Sequence, residues 1–358
     1  MTAGAASAGG PPVGAMAPRV FVVQPVPDAA LAMLREVAEV TVYPHLDRQI
    51  STDELVANVR RNDYLFAMHE TIIPAEVIRA NPALKGIAVV ARSAEYIDLA
   101  AARACRVPVA TLHPAEEIYR LIARATADLT AAMLLGLAYR LPEADRYTRH
   151  GRFRQEQTMA LMGLGCPGKT LGLIGLGLVG GFLVPRMRPF ELRILYTKRT
   201  RLPPDRERAL GVEWAPDKDE VLARADFVCL ACDYNPSTHR LIGARELRLM
   251  KRTAYLINTA RGRIVDEPAL VRALRDGTIA GAGLDVYWNE PPETYDPAPS
   301  AELYTLPNVI LAPHNGGATW DVRGEMTKSV ARNIVAMIRG ERPPGLCNPE
   351  IYDAGSRG

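Results

Sequence analysis

Short apolar segments alternate with segments of helical periodicity along the chain from residue 19 onward. The first series contains the strand-like runs RVFVVQPV, TVYPH, DYLFAMH, GIAVVAR and VPVATLH, with helix-like segments such as DELVANVRR between them. Strict alternation of strand and helix predicts a parallel, doubly wound sheet. This first unit ends near residue 112, and a long helical stretch follows from about Ala115 to Leu141.

A second alternating series contains the runs TLGLIGLG, LRILYT, ADFVCLAC, TAYLINTA, IAGAGLDV and NVILAPH. We therefore predict an α/β chain of two doubly wound parallel-sheet domains with a ligand cleft between them. The helical segment VRGEMTKSVARNIVAMIRG follows the complete second sheet, so it is expected to return to the first unit. The predicted parts are a disordered tail at residues 1–18, a flavodoxin-like substrate domain at residues 19–114 and 318–350, and a Rossmann dinucleotide-binding domain inserted at residues 115–317.

Composition and charge narrow the class of protein. The 358 residues include 43 basic and 40 acidic side chains, a net charge of +3 that gives no reason to expect nucleic acid as a partner. A signal peptide is not apparent, and no continuous run of about 18 apolar residues predicts a membrane span. Cys229 and Cys232 form a CxxC inside a strand-like run without a second pair nearby, so neither a disulfide nor a metal site is predicted. These features predict a cytoplasmic protein.

The segment LGLIGLGLVGGF carries Gly175, Gly177 and Gly180 in the spacing GxGxxG. It follows a strand-like run directly and opens a helix, beginning with Leu178 and Val179. The three glycines provide a tight turn, close approach of the backbone to a pyrophosphate, and close packing of helix on strand. The free N–H groups of the helix N-terminus favour phosphate binding. This context predicts a dinucleotide site formed by these five residues.

The end of the next strand, ILYTKRTR, indicates which dinucleotide is bound. An NAD site usually places Asp or Glu about 20 residues after the first glycine. Here Lys198 stands 23 residues after Gly175, followed by Arg199, and no acidic residue occurs between Glu191 and Asp205. Cations suit a 2′-phosphate, so NADP is favoured as the cofactor and NAD is possible. The alternative is that these side chains are solvated and NAD is held without an acidic contact.

Polar residues follow three strands of the second unit, where ligands bind in this architecture. Arg261 follows one strand in INTARG, Glu290 follows the next in GLDVYWNEP, and His314 follows the third in LAPHNGG. Hydride transfer requires an acid/base for the hydroxyl proton, a partner for it and a cation for an anionic substrate, roles that His, Glu and Arg can fill. A carboxylate beside the imidazole favours its protonated form. Each residue alone could be structural, but together they indicate catalysis.

The chain resembles the D-isomer-specific 2-hydroxyacid dehydrogenase family, which includes phosphoglycerate, glyoxylate/hydroxypyruvate and phosphite dehydrogenases. The matching strings are LGLIGLGLVG, LMKRTAYLINTARGRIVDEPAL, IAGAGLDVYWNEPP and PNVILAPHNGGAT. The resemblance implies His314 as acid/base, Glu290 as its partner and Arg261 as substrate anchor. It also implies a homodimer formed through the cofactor domains, to which the long helix after residue 115 contributes. The remaining expected cofactor contacts are Thr238, Thr259, Ala260 and Asp285, with Thr259 and Asp285 implied to lie near the nicotinamide.

The sequence departs from the family pattern in the substrate domain. A loop of the type GVGxDxID, whose N–H groups bind the substrate carboxylate, is replaced by ARSAEYID at residues 91–98. Arg92 and Ser93 are therefore candidate substrate-binding residues. The following turn is longer than usual and adds Arg120 and Arg124 near the expected domain entrance.

Arg92 raises the question of which anion is bound. Phosphite dehydrogenases carry Lys at the matching position, and Arg92 with Arg261 could clamp a doubly charged phosphonate or phosphate. The alternative is an ordinary 2-hydroxy or 2-oxo acid, with Arg92 in solvent or paired with Glu95. His69, at the end of DYLFAMH, is a further candidate that is more readily explained as structural.

Two other classes of protein compete with a dehydrogenase. A catalytically silent, dinucleotide-sensing regulator of the corepressor type would not require Arg261, Glu290 and His314 together. Formate-dehydrogenase-like enzymes resemble the family but place Gln where Glu290 stands. The sequence therefore predicts an NAD(P)-dependent enzyme that acts on a small anionic 2-hydroxy or 2-oxo acid, or on a hydroxyphosphonate.

Overall fold

The computed structural model describes residues 17–112, 116–290 and 298–353. Contacts divide the chain into two compact units: unit 1 takes its described residues from 1–115 and 323–358, and unit 2 from 116–322. Most of the predicted disordered tail, residues 1–16, lies outside the described residues, as does the predicted boundary at 114–115. The assignment of the units to substrate and cofactor stays a prediction at this stage.

Unit 1 contains a parallel sheet in the order β2-β1-β3-β4-β5 among the described residues. Its strands are β1 (Arg19–Val22), β2 (Glu39–Val42), β3 (Tyr64–Met68), β4 (Gly86–Val90) and β5 (Val109–Ala110). The helices between them are α1 (Asp28–Arg35), α2 (Thr52–Val59), α3 (Ala75–Arg79) and α4 (Leu99–Ala104). β3 and β4 are buried along their whole length, as expected for central strands of a sheet covered on both faces.

Unit 2 contains a parallel sheet in the order β12-β11-β10-β9-β6-β7-β8 within the described ranges. Its strands are β6 (Thr170–Ile174), β7 (Arg193–Thr197), β8 (Val212–Trp214), β9 (Phe227–Leu230), β10 (Tyr255–Asn258), β11 (Gly281–Leu284) and β12 (Val309–Leu311). The chain leaves β6 toward β7 and β8 and then returns to β9 on the other side. The carboxyl ends of β6 and β9 therefore mark the topological switch point, where ligands bind in such sheets.

Helices flank this second sheet. They are α5 (Glu116–Ala138), α6 (Leu141–Arg149), α7 (Leu178–Met187), α8 (Pro204–Leu210), α9 (Lys218–Arg224), α10 (Ala244–Leu249), α11 (Glu267–Arg275) and α12 (Ala301–Thr305), followed by α13 (Trp320–Ile338) and α14 (Glu350–Asp353). Short 3-10 helices occur at Met159–Leu161, Arg188–Phe190, Gly262–Ile264 and Asn315–Gly317. One core forms between the sheet and α5 with α7, and another between the sheet and α9 to α11. The structure confirms the predicted fold class of two parallel α/β domains.

The last long helix, α13, belongs to unit 1 from Arg323 onward. Met337 lies close to Gly86 of β4, where a Cβ atom would come within 2.3 Å of the Met337 sulfur. The hydroxyl of Tyr64 on β3 lies 3.5 Å from the carbonyl oxygen of Met337. The expected return of this helical segment is thus seen as packing on the centre of the first sheet.

Helix α5 is long and apolar enough, by length and composition alone, to cross a membrane. Half of its most apolar window is buried, and residues such as Ala127 and Leu134 pack in the core beneath the sheet. Burial against the sheet accounts for its apolar face, as in the core helix of a globular domain. The cytoplasmic location predicted from the sequence stays a prediction.

Candidate active site

The glycine-rich turn lies at the switch point, between β6 and α7. Gly175 has a φ of +95°, and a Cβ there would lie 2.4 Å from the carbonyl oxygen of Ala231, so only glycine fits. A Cβ on Gly180 would lie 3.0 Å from the Leu176 side chain, which makes this the close helix-to-strand position. A Cβ on Gly177 would meet no atom within 4 Å. The space beside Gly177, at the first N–H groups of α7, therefore fits the pyrophosphate of a dinucleotide.

The cations that follow β7 have different surroundings. Lys198 is half-buried and its Nζ lies 3.4 Å from the carbonyl oxygen of Leu176, so it leans over the glycine-rich turn. Arg199 is exposed. Arg201 binds the buried Glu207 through two hydrogen bonds of 2.8 Å and lies over the ring of Trp214. Arg201 is thus part of the domain structure, whereas the role of Lys198 and Arg199 in reading the adenosine ribose stays a prediction.

Thr238 lies in the loop after β9. Its hydroxyl accepts the N–H of Asn235 at 2.8 Å and lies 2.9 Å from the carbonyl oxygen of Asp233. The hydroxyl therefore stabilises the loop itself. A role in cofactor binding stays a prediction for Thr238.

The segment after β10 is held by Asn258, the last residue of the strand. The Asn258 side chain accepts the N–H of Ala260 at 3.1 Å and donates to the carbonyl oxygen of Arg261 at 3.0 Å. These two bonds fix a turn in which Thr259 is buried and Arg261 is exposed. The Arg261 guanidinium donates to the Ala260 carbonyl at 2.7 Å, which leaves its other N–H groups for an anion.

The structure brings His314 and Glu290 together. The Nδ1 atom of His314 lies 2.8 Å from one carboxylate oxygen of Glu290, and the other oxygen accepts the N–H of Tyr287 at 2.8 Å. The hydroxyl of Tyr287 donates toward the carbonyl oxygens of Leu284 and Ala312, at 3.2 and 2.8 Å, and so ties the ends of β11 and β12 together. The imidazole thus has a carboxylate partner that is itself held by a backbone N–H group.

Asp285 supports the turn that carries His314. Its carboxylate accepts the N–H groups of Asn315 at 2.6 Å and Gly316 at 2.9 Å. Burial raises the pKa of the Asp285 carboxyl, and the two N–H donors and the charge of His314 oppose that rise. Asp285 is therefore an acceptor at the end of β11, directly beside the catalytic candidates.

The candidate substrate residues Arg92 and Ser93 belong to unit 1, in the turn that follows β4, and both are exposed. His69 follows β3, and its Nδ1 atom lies 2.7 Å from a carboxylate oxygen of Glu70. Each of these side chains stands at the carboxyl end of a strand of its own sheet, where ligands bind in open α/β sheets.

Arg120 and Arg124, which the longer turn adds, lie on α5 in unit 2. Their guanidinium carbons lie 5.4 and 5.2 Å from the ring centroid of Phe182 on α7. Stacking on an aromatic face holds both cations along α7.

Sequence reasoning missed three supporting residues: Asn258, Tyr287 and Thr130. Asn258 ends the apolar run YLIN, and a buried amide at a strand end could have been recognised as a turn-forming residue. Tyr287 follows Asp285 by two residues, but its bonds to two carbonyls depend on the position of β12. Thr130 lies on the buried face of α5.

The described residues contain no group of three or more His, Cys, Asp or Glu side chains placed to hold a metal ion. A glycine-rich turn at the switch point of a Rossmann sheet, with a histidine–carboxylate pair at the ends of its outer strands, defines a nicotinamide-dependent dehydrogenase. A sequence model described as D-isomer specific 2-hydroxyacid dehydrogenase, NAD binding domain, matches residues 131–316. The chain belongs to the D-isomer specific 2-hydroxyacid dehydrogenase family.

Known proteins resemble the chain over nearly its full length. The glyoxylate reductase of Thermococcus gammatolerans is 40% identical over 340 residues, which cover 94% of this chain and 97% of that protein. The crystal structure of the NADPH-dependent glyoxylate/hydroxypyruvate reductase from Sinorhizobium meliloti, in complex with NADP and malonate, is 30% identical, with a TM-score of 0.66 and coverage of 89% and 93%. The crystal structure of a Thermus thermophilus protein is 37% identical, with a TM-score of 0.77 and coverage of 92% and 99%.

These likenesses confirm that the chain is an NAD(P)-dependent dehydrogenase that acts on a CH–OH group, and the prediction of an enzyme rather than a regulator is correct. A nicotinamide dinucleotide is its cofactor.

Proposed function

We propose that the protein reduces a small 2-oxo acid of the glyoxylate or hydroxypyruvate type to the 2-hydroxy acid, with His314 as the general acid. The observation that carries this proposal is the 2.8 Å contact between His314 Nδ1 and Glu290, at the strand ends of the cofactor-binding sheet. The glyoxylate reductases that resemble the chain support the choice of substrate.

Three residues perform the chemistry in this proposal. A nicotinamide dinucleotide, when bound at the glycine-rich turn, would supply the hydride for the carbonyl carbon of the substrate. Arg261 binds the substrate carboxylate through its guanidinium. Because Nδ1 of His314 is hydrogen-bonded to Glu290, Nε2 is the atom that donates a proton to the carbonyl oxygen of the substrate. As the hydride adds to the carbonyl carbon, the C–O double bond becomes single and the protonated oxygen becomes the hydroxyl group. Glu290 keeps the ring oriented during the transfer through its contact with Nδ1.

NADPH is the preferred reductant in this proposal. Lys198 and Arg199 follow β7, and in Rossmann sheets the residues at the end of this strand contact the adenosine ribose. The sequence has no Asp or Glu at this strand end that could bind the 2′-hydroxyl of NAD. A 2′-phosphate would gain charge-assisted hydrogen bonds from both side chains. The Sinorhizobium meliloti reductase, which is NADPH-dependent, supports the same choice.

A hydroxyphosphonate is the second candidate substrate, because Arg92 stands exposed at the carboxyl end of β4. A second guanidinium would favour a doubly charged group over a carboxylate. If a phosphonate is the substrate, Arg92→Ala raises KM for it by about tenfold or more, as expected for the loss of a charged hydrogen bond. If a 2-oxo acid is the substrate and Arg92 faces solvent, KM for it is unchanged by the substitution.

We also propose that the protein is a homodimer. Large exposed apolar side chains are concentrated between α5 and β6, in a segment that belongs to unit 2; they are Tyr139, Leu141, Phe153, Met159 and Met162. Such a concentration of apolar surface is typical of a protein interface. Light scattering after size-exclusion chromatography should give twice the mass of 39.1 kDa, and the double variant Phe153→Glu/Met159→Glu should give the monomer mass.

Absorbance at 340 nm tests the activity directly. Glyoxylate, hydroxypyruvate and hydroxymethylphosphonate are each assayed with both dinucleotides in the appropriate direction. We expect turnover of the 2-oxo acids with NADPH, and His314→Gln should lower kcat by about 100-fold or more. The dinucleotide affinity of this variant should stay near that of the wild type. Tight dinucleotide binding without turnover of glyoxylate or hydroxypyruvate would overturn the proposed substrate.

A further inference from the structure

Three threonine groups form a hydrogen-bonded chain beneath the end of β10. The Thr130 hydroxyl on α5 lies 2.7 Å from the backbone carbonyl oxygen of Thr126, one turn earlier in the helix. The Thr259 hydroxyl, immediately after β10, lies 2.8 Å from the Thr130 hydroxyl. Thr130 is 2% exposed and Thr259 is 9% exposed, so water does not replace these bonds.

The direction of each bond follows from the number of protons available. A hydroxyl has one proton to donate, and a carbonyl oxygen can only accept. Since Thr130 donates to the Thr126 carbonyl, it must accept from Thr259. The single proton of Thr259 is thereby committed toward α5. Toward any other neighbour, the Thr259 hydroxyl offers only lone pairs.

A second acceptor stands next to Thr259. In the register of β10 and β11, Asn258 pairs with Leu284, so the residues that follow, Thr259 and Asp285, leave the sheet side by side. The Asp285 carboxylate already accepts two backbone N–H groups, and each of its oxygens retains a further lone pair. The ends of β10 and β11 therefore present two adjacent acceptors and need a ligand group with two donors.

The position of these acceptors matches one end of the dinucleotide. The pyrophosphate turn lies at β6, and the candidate ribose readers, Lys198 and Arg199, lie at β7 on one side of it. The nicotinamide half of a bound dinucleotide would therefore extend to the other side, over β9, β10 and β11. With strands about 4.8 Å apart, β10 and β11 stand roughly 10 and 14 Å from β6. At this end of the dinucleotide, the carboxamide NH2 of the nicotinamide is the group that would offer two donors.

We propose that Thr130 is a positioning residue of the cofactor site: it takes up the proton of Thr259, so that Thr259 and Asp285 together accept the carboxamide NH2 and fix the orientation of the nicotinamide ring. This inference rests on the proposed function, because it requires a bound nicotinamide dinucleotide. Thr130 does not touch the cofactor. It acts through Thr259, by deciding which way that hydroxyl points.

The test compares two dinucleotides in calorimetric titrations of the full chain. One is NADP⁺, and the other is its 3-acetylpyridine analogue, in which a methyl group replaces the carboxamide NH2. Thr130→Val keeps the side-chain shape and removes the hydroxyl. We expect its Kd for NADP⁺ to rise about three- to tenfold, the range for one hydrogen bond, while its Kd for the analogue changes by less than about twofold. Thr130→Ser, which restores the hydroxyl, should bind both dinucleotides as the wild type does.

The matched control is Thr327→Val. Thr327 is a fully buried threonine of α13, and its hydroxyl bonds to the carbonyl oxygen of Arg323 four residues earlier, in the other unit. Like Thr130→Val, the variant Thr327→Val removes a buried hydroxyl and should lower Tm. It should leave the ratio of the Kd for NADP⁺ to the Kd for the analogue unchanged. If Thr130→Val does not fold, Thr130→Ala replaces it, because alanine also removes the hydroxyl; the same two Kd values are then compared.

Two results would overturn the inference. Equal weakening for NADP⁺ and for the analogue would show a general structural effect of Thr130, and no weakening for either would show that Thr259 does not depend on it. Failure of the wild-type protein to bind any nicotinamide dinucleotide is a separate result, which would overturn the proposed function and the inference with it.

Discussion

The backbone N–H of His314 donates to the carbonyl oxygen of Asp285 over 2.9 Å. The imidazole is therefore anchored to the end of the neighbouring strand through its own peptide group. His314 has a left-handed backbone, with φ +55° and ψ +48°, a conformation that is uncommon for a residue with a side chain. The Asp285 carboxylate, by accepting the next two N–H groups, stabilises this turn. The position of the acid/base candidate thus depends on one buried carboxylate.

Asp285→Asn tests this dependence. An amide would place its NH2 against one of the two N–H groups, and it would remove the negative charge near the imidazole. We expect kcat for reduction to fall by about tenfold or more. Initial rates with saturating NADPH measure the change in kcat.

The control for this variant is Asp226→Asn. Asp226 is also a buried aspartate of unit 2 that accepts a backbone N–H, from Thr170 at 2.9 Å, and it pairs with Lys251. Its substitution should lower Tm without lowering kcat. A loss of kcat of the same size in both variants would contradict the role assigned to Asp285.

The sequence was sufficient to predict the fold class, because apolar strands buried on both faces leave continuous hydrophobic runs separated by helical segments. It was also sufficient to predict Glu290 beside His314, because polar residues that follow neighbouring parallel strands meet at one edge of the sheet. The structure places their side chains 2.8 Å apart. Both predictions depended on local patterns with a known spatial consequence.

Other features depend on contacts that no local pattern reveals. ILYTKRTR contains three similar cations, but Arg201 is bound by Glu207, which stands six residues further along and is brought close by α8. Thr130 stands among apolar residues of α5, and its role becomes visible only when Thr259 is placed against it. A side chain whose partner comes from a distant element cannot be assigned from spacing alone.

Substitutions at these cations test the preferred dinucleotide. Lys198→Ala and Arg199→Ala should each raise KM for NADPH by about tenfold and leave KM for NADH within about twofold, because only NADPH carries the 2′-phosphate. Arg201→Ala is the matched control: it should lower Tm, since it leaves Glu207 unpaired, but the ratio of the two KM values should not change. Initial rates at varied dinucleotide concentration give these ratios. Equal effects on both dinucleotides would show that these side chains do not read the 2′-phosphate.

The ion pair behind Arg201 should make stability depend on pH. The hydrogen bonds from Arg201 and from the Tyr196 hydroxyl lower the pKa of Glu207 to about 2. An unfolded glutamate titrates near 4.3, so the stabilising effect of the carboxylate is complete above that pH and is lost as the pH falls toward 2. We expect Glu207→Gln to lower Tm by a few degrees at pH 7 and by progressively less between about pH 4.5 and 2.

Thermal unfolding followed by circular dichroism measures this difference. Glu213→Gln is the control, because Glu213 pairs with Arg224 at an exposed position and a surface pair of this kind adds little stability. Its Tm should match the wild type throughout the pH range. A constant difference between Glu207→Gln and the wild type from pH 7 to 2 would show that the lowered pKa of Glu207 is not a source of stability.

Two glycines of the phosphate-binding turn should respond oppositely to alanine. A methyl group at Gly177 meets no protein atom within 4 Å, and the φ of −100° is accessible to alanine. Gly177→Ala should therefore keep its Tm within about 2 °C of the wild type but weaken NADPH binding by about tenfold or more, because the methyl group occupies the space of the pyrophosphate. At Gly175, φ is +95° and a Cβ would lie 2.4 Å from the Ala231 carbonyl oxygen. The main effect of Gly175→Ala should therefore be a lower Tm. Melting curves and NADPH fluorescence titrations of both variants separate the two effects, and wild-type affinity in Gly177→Ala would show that the dinucleotide does not bind at this turn.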